Sequence, residues 1–187
     1  VVLPELQPVE QPERFAEVCR VIDRLAPGAE GMSTRLAALL CPLGEAAARA
    51  ALRRLKCSNA LTDEVTALVG GSAGTPGSDR TLTAKRLLGR YDLPTVQHLT
   101  ALCSAQHPEQ AEAFSALCTE VQRLAAENAC CRVSQLAVNG RDLMAAGAKP
   151  GPGLRKLLEQ LLEEVITGRT PNEKAALLAA AAQFSAS

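Results

Sequence analysis

Residues 108–128, PEQAEAFSALCTEVQRLAAEN, place Phe114, Leu117, Cys118, Val121 and Leu124 at the three- and four-residue spacing of one helix face. The spacing predicts a helix from Pro108 to about Asn128, and the same period recurs on both sides of it. After a Pro-rich lead (Pro4, Pro8, Pro12), Phe15, Val18, Cys19, Ile22 and Leu25 repeat helically and stop before Pro27-Gly28. Ser33 reads as the N-cap of a short helix through Leu40. Pro42 then ends that helix and opens another over Leu43–Leu55, its fixed φ and missing N–H suiting a first turn. Ser58 caps a helix that stops at Gly70-Gly71, and further helices are expected over Asp79–Arg90, Pro94–Ala105 and Pro152–Thr167. A last helix is read from Thr170 as N-cap, Pro171 in the first turn and Glu173 at the capping-box position. No segment sustains a period of two with β-branched residues. The expected fold class is therefore all-α, an elongated array of about eight to ten helices.

Two features divide this array. Residues 70–78, GGSAGTPGS, hold four glycines and a proline and read as a boundary or mobile linker. At Cys131 the texture changes to short apolar pieces and Gly/Pro turns, which suggests a body over 1–131 and a small tail over 132–187.

Composition limits what such a chain does. Its 187 residues are 47% hydrophobic, enough for a core in one large or two small domains. Twenty basic residues balance twenty acidic ones, which excludes a globally basic nucleic-acid coat, and aromatics at 2% exclude a stacking platform for single strands. The chain opens on Val1 with no basic and apolar leader, and its longest apolar run, Ala175–Ala182, is too short for a bilayer. A piece of a longer cytoplasmic protein, with no membrane partner, is the expectation. Seven cysteines, an odd number without C-x-x-C spacing, read as reduced thiols.

Catalytic chemistry is not legible. Asp23, Asp63, Asp79, Asp92 and Asp142 are isolated, with no D-x-D pair for divalent ions. His98 and His107 lack metal-ligand spacing, and neither lies beside an obvious nucleophile. The glycine loop follows a helix and lacks the Lys-Ser/Thr pair of a phosphate loop. No catalytic residue, metal or cofactor is expected in this chain.

Local charge is more informative. Residues 132–156 hold Arg132, Arg141, Lys149, Arg155 and Lys156 against Asp142 alone. Within them KPGPGLRK sets Gly151 and Gly153 around Pro152 at a helix start, where a phosphate can approach free backbone N–H groups. Arg49, Arg53 and Lys56 fall at i, i+4 and i+7 of one predicted helix, with Arg54 beside them, and Lys85, Arg86 and Arg90 form a third group. The same residues read equally as turn formers and solvated faces. Several short basic faces suit the backbone of a folded RNA.

The run LAVNGRDLMAAGAKPGPGLRKLL, continuing to VITGRTPNEKAALL, closely resembles the C-terminal end of bacterial tRNA nucleotidyltransferases, the CCA-adding enzymes of the poly(A) polymerase superfamily. Matching positions include Leu136, Val138, Asn139, Gly140, Asp142, Leu143, Gly147, Lys149, Gly151, Gly168, Asn172 and Leu177. RLAALLCPLG from Arg35, RLKCSN from Arg54 and KRLLGRY from Lys85 resemble the family's helical body. Some relatives carry a His-Asp pair where this chain has Cys41-Pro42, so phosphohydrolase chemistry is not carried over. The resemblance implies a full enzyme that adds C, C and A to tRNA from CTP and ATP with Mg²⁺, its catalytic head lying N-terminal to a body and tail that hold tRNA. The RNA contacts expected from the local charge are Arg141, Lys149, Gly151, Gly153, Arg155 and Lys156, with Arg49, Arg53, Lys56, Lys85 and Arg86 on the body. Two rivals stand beside it: a helical interaction module that forms a homodimer through the Leu/Ala-rich last helices, and the RNA-binding region of a poly(A) polymerase.

Overall fold

A computed structural model describes residues 11–27, 31–72 and 77–186; Pro4, Pro8, Gly28 and residues 73–76 of the glycine loop lie outside them. The described residues are all-α. Ten α-helices follow in order: α1 Pro12–Arg24, α2 Met32–Leu40, α3 Glu45–Arg54, α4 Asn59–Gly71, α5 Arg80–Arg90, α6 Leu93–Gln106, α7 Ala111–Ala126, α8 Gly140–Ala145, α9 Pro152–Ile166 and α10 Lys174–Ala186. None of the described helices is long and apolar enough to cross a membrane.

Four helix starts are fixed by polar side chains adjacent in sequence. Ser58, Asp79 and Asp92 accept hydrogen bonds from the N–H groups of Leu61, Leu82 and Thr95, and Asn139 accepts from Arg141 and Asp142. Each satisfies donors that the first turn leaves open, at about 1 kcal/mol per cap. Among the ends that close on residues of positive φ are Lys56 (φ 57°) after α3, Asn128 (φ 51°) after α7 and Gly168 (φ 75°) after α9. In each the next N–H reaches back to a carbonyl of the last turn, Cys57 to Leu52, Ala129 to Leu124 and Arg169 to Glu164.

Four expected starts are displaced, the first being that of α7, which begins at Ala111 because Pro108–Gln110 form a 3₁₀ turn. Ser33 is not an N-cap: Gly31 holds that position, and the nearly buried Ser33 hydroxyl donates instead to Glu64 on α4. Pro42 does not open α3. It sits in a single 3₁₀ turn, Cys41–Leu43, that extends α2, and Gly44 at φ 78° redirects the chain before Glu45. The last helix starts at Lys174 rather than around Thr170, because residues 170–173 are committed elsewhere. Asn172 accepts the Ala137 N–H and donates to the Gln135 carbonyl.

Packing divides the chain into two units, not at residue 131. The first comprises residues 1–78 and 92–120, and the second residues 79–91 and 121–187. In the first unit α4 packs on α2, α3 and α6, around the fully buried Leu52, Val65, Leu68, Val96 and Leu102. The buried hydroxyls of Thr62 and Thr66 donate to carbonyls one turn back, so burial leaves neither unsatisfied.

The second unit is built on α9. Leu157, Leu161 and Val165 pack with Val138, Leu143, Leu177 and Ala181. Full burial of Leu161 and Leu177 contributes about 2 kcal/mol each relative to exposure. α5 joins this unit through Arg86–Glu163 (2.7 Å) and through Lys85, whose ammonium donates to the Ile166 carbonyl (3.1 Å). Arg132 caps the end of α5, donating to the carbonyls of Leu88 (3.0 Å) and Tyr91 (2.8 Å).

Candidate nucleic-acid interface

The Gly/Pro turn lies wholly in the second unit. Asn139 and Asp142 form a reciprocal capping box at the start of α8, the Asp142 carboxylate accepting from the Asn139 N–H (3.0 Å) and from Lys174 (2.6 Å). The Lys174 hydrogen bond, with that from Asn139, holds the Asp142 carboxyl below its usual range. A depressed carboxyl stabilises the fold fully above its unfolded value of 3.8, and the contribution is lost as pH falls through the lower folded value. Asp142→Asn is therefore expected to flatten the acid limb of a pH–stability profile below that value and to leave its shape at neutral pH unchanged. Urea titrations across the acid range measure this.

α8 ends at Gly147, whose φ of 102° suits glycine, and the chain passes through half-buried Ala148 to Lys149. Gly151, at φ 133°, precedes Pro152 in the first turn of α9. Here the two glycines part company. Gly151 needs its missing Cβ for its backbone, whereas a Cβ at Gly153 would meet nothing within 4 Å and its φ is ordinary. Gly153→Ala is expected to raise stability by about 1 kcal/mol, read as a higher urea midpoint. If phosphate approaches the backbone there, the same variant binds RNA more weakly despite its greater stability.

The expected cations also separate. Arg155 is ion-paired with Glu159 one turn on (2.9 Å), and Arg132 is committed to the end of α5. Arg141, Lys149 and Lys156 are exposed and have no partner among the described residues. Arg49 is paired with Asp63 (2.8 Å), and Arg53 is exposed beside it. Lys56 does not share their helical face, because α3 ends at Arg54 and Lys56 has left-handed backbone. Lys85 and Arg86 belong to the joint between α5 and α9 and are not free cations; Arg90 lies over the Tyr91 ring.

Other reactive groups are quiet. Among the described residues no group of three His, Cys, Asp or Glu could hold a metal ion. Asp79, Asp92 and Asp142 cap helices and Asp63 pairs with Arg49. Glu64 takes the Ser33 hydroxyl on one oxygen and His98 Nδ1 on the other, so the carboxylate, and not the imidazole, receives the serine. All seven cysteines are free, and burial raises the thiols of Cys41, Cys130 and Cys131 and pushes Cys103 up to about 12. These thiols are protonated near neutrality, which disfavours redox chemistry at the vicinal pair.

The described residues thus form an all-α module in which Arg141, Lys149 and Lys156 stand exposed and unpartnered on and beside a Gly/Pro turn. Residues 31–181 match the profile of tRNA nucleotidyltransferase domain 2, and the chain belongs to that family. It is 60% identical over 45 residues to a CCA-adding enzyme of Levilactobacillus brevis, covering 24% of this chain and 11% of that protein. It is 41% identical over 78 residues to a CC-adding tRNA nucleotidyltransferase of Shouchella clausii, covering 42% and 18%. A CCA-adding enzyme of Lacticaseibacillus paracasei is 43% identical over 51 residues, covering 27% and 13%. The chain thus spans less than a fifth of each of these relatives. No solved structure matches it.

Proposed function

We propose that the chain is the tRNA-holding C-terminal region of a cytoplasmic CCA-adding tRNA nucleotidyltransferase, silent in catalysis by itself. The observation that carries this reading is the family match over residues 31–181, together with the unpartnered cations Arg141, Lys149 and Lys156 on and beside the Gly/Pro turn. Mg²⁺, CTP and ATP belong to the head of the whole enzyme, as the family resemblance implies. Both packing units grip duplex arms through phosphates and 2′-hydroxyls, which needs no aromatic platform. Since the relatives include a CC-adding enzyme, the reading covers nucleotide addition at tRNA 3′ ends without choosing CC or CCA. Filter binding of tRNA between about 50 and 200 mM salt tests it, with affinity expected to fall steeply as counterion release loses its drive. Absence of salt-dependent tRNA binding overturns it. The rival homodimer draws on Phe184, 37% exposed on α10, and predicts a concentration-dependent mass without tRNA affinity.

A further inference from the structure

Two hollows in the second unit offer a ligand little. A pit of about 290 Å³ between α8, α9 and α10 has no charged residue in its wall. A notch of about 190 Å³ beside Arg132 faces a guanidinium already committed to the Leu88 and Tyr91 carbonyls. A hollow of about 590 Å³ that lies wholly within the first unit differs from both. Buried Val18, Val21, Ala38 and Val69 form its inner wall, and exposed Glu17 and Glu45 stand at its edge, with no Lys or Arg among its lining residues.

The surroundings of this hollow are negative. Cys41, Ser72 and Gln106 line it from the C-terminal ends of α2, α4 and α6, where last-turn carbonyls lack intrahelical donors and carry partial negative charge. Glu45 reaches from the first turn of α3 to the last turn of α4, since a Cβ on Gly70 would lie 2.9 Å from its Oε2. That carboxylate faces the positive end of its own helix and has no partner among the described residues. The cations nearby are committed, Arg20 to Glu17 and Arg24 to the Ala105 carbonyl (2.9 Å). His107 turns its Nδ1 toward Glu109 (3.5 Å). Burial raises the Cys41 thiol, so it stays neutral beside the Ser72 hydroxyl (3.2 Å). Anions are therefore repelled, and a bare metal ion gains nothing from the aliphatic wall. A ligand that answers both features is apolar in body and carries one positive charge. We propose that the hollow is a binding site for a small organic amine, its ammonium donating to Glu45 and its apolar body resting on Val18, Val21, Ala38 and Val69. A primary ammonium has three donors, enough for the carboxylate and for open carbonyls at the helix ends. The volume lies in the range of small-molecule sites, about 300–1,000 Å³. No residue of the Gly/Pro turn takes part, so the inference stands apart from the RNA-binding reading.

The test titrates the chain with three probes of one size and different charge, benzylamine, benzyl alcohol and benzoate, followed by amide NMR shifts. Benzylamine is expected to shift Gly44, Glu45, Gly70 and Ser72 saturably in the millimolar range, with benzyl alcohol about tenfold weaker and benzoate without effect, as loss of one charge-assisted hydrogen bond implies. Glu45→Gln keeps the shape and removes the charge, so it weakens benzylamine about tenfold and leaves benzyl alcohol unchanged. Glu45 is exposed and unpartnered among the described residues, so this variant keeps the fold, which thermal melts check. Ser72→Leu places bulk in the hollow from a half-buried position and weakens both probes. Equal binding of benzylamine by the parent chain and Glu45→Gln overturns the proposal, and so does equal binding of benzoate and benzylamine. Absence of saturable shifts at these four amides overturns it too. If a Leu/Lys peptide binds there and benzylamine does not, or if Ser72→Leu abolishes a concentration-dependent mass without any amine effect, the hollow serves a protein partner or a second copy and the proposal falls.

Discussion

Replacing Arg141, Lys149 and Lys156 together by alanine is expected to weaken tRNA binding by about two orders of magnitude near 0.1 M salt. Each cation that neutralises a phosphate releases a condensed counterion, so three lost contacts lower the slope of log K against log[salt] by about 2–3. The stability of the chain should scarcely change, since these side chains are exposed and touch no described partner. Arg155→Ala provides the contrast. Arg155 is already paired with Glu159, and its loss leaves an acid behind, so its effect reflects added negative charge rather than a lost phosphate contact. Affinities measured at several salt concentrations, with urea unfolding alongside, separate the two. A triple variant that keeps both affinity and slope removes the turn from the interface.

Arg132→Ala is expected to behave in the opposite way, losing about 2–3 kcal/mol of stability while its direct effect on the salt slope is negligible. Its guanidinium donates to two carbonyls at the end of α5, where helix carbonyls lack intrahelical donors and carry negative partial charge. Charge-assisted hydrogen bonds contribute about 1.5–3 kcal/mol each, discounted here because the second lies at the surface. Arg132→Lys recovers little, because one ammonium does not reproduce a fork that spans two acceptors. Urea midpoints read the loss, and a midpoint unchanged from the parent chain would sink the capping role.

The residues behind the family resemblance are, in the structure, mostly folding instructions. Val138, Leu143, Val165 and Leu177 are core, Asn139 and Asp142 cap α8, Gly147 and Gly168 hold left-handed turns, and Asn172 ties residues 135–137 to the approach of α10. Lys149 is the cation of that pattern left free for a ligand. The resemblance was legible because a cap, a turn and a spaced apolar face are all written within a few residues of each other. The same locality made the helical class and the cap at Ser58 readable.

What the sequence determined by itself was therefore the periodic content: an all-α chain, most helix starts, a basic Gly/Pro turn and a neutral total charge. Tertiary structure decided which charges remain available. Arg86 meets Glu163 across 77 residues, Lys85 meets the Ile166 carbonyl across 81, and Arg49 meets Asp63 across 14, none of which spacing along one helix encodes. It also moved the start of the last helix, through the bonds of Asn172 to Ala137 and Gln135, and assigned α5 to the second unit. The physical reason is common to all of these: propensity and capping act between neighbours in the chain, whereas a cation or an amide commits to whichever oxygen folding brings within about 3 Å.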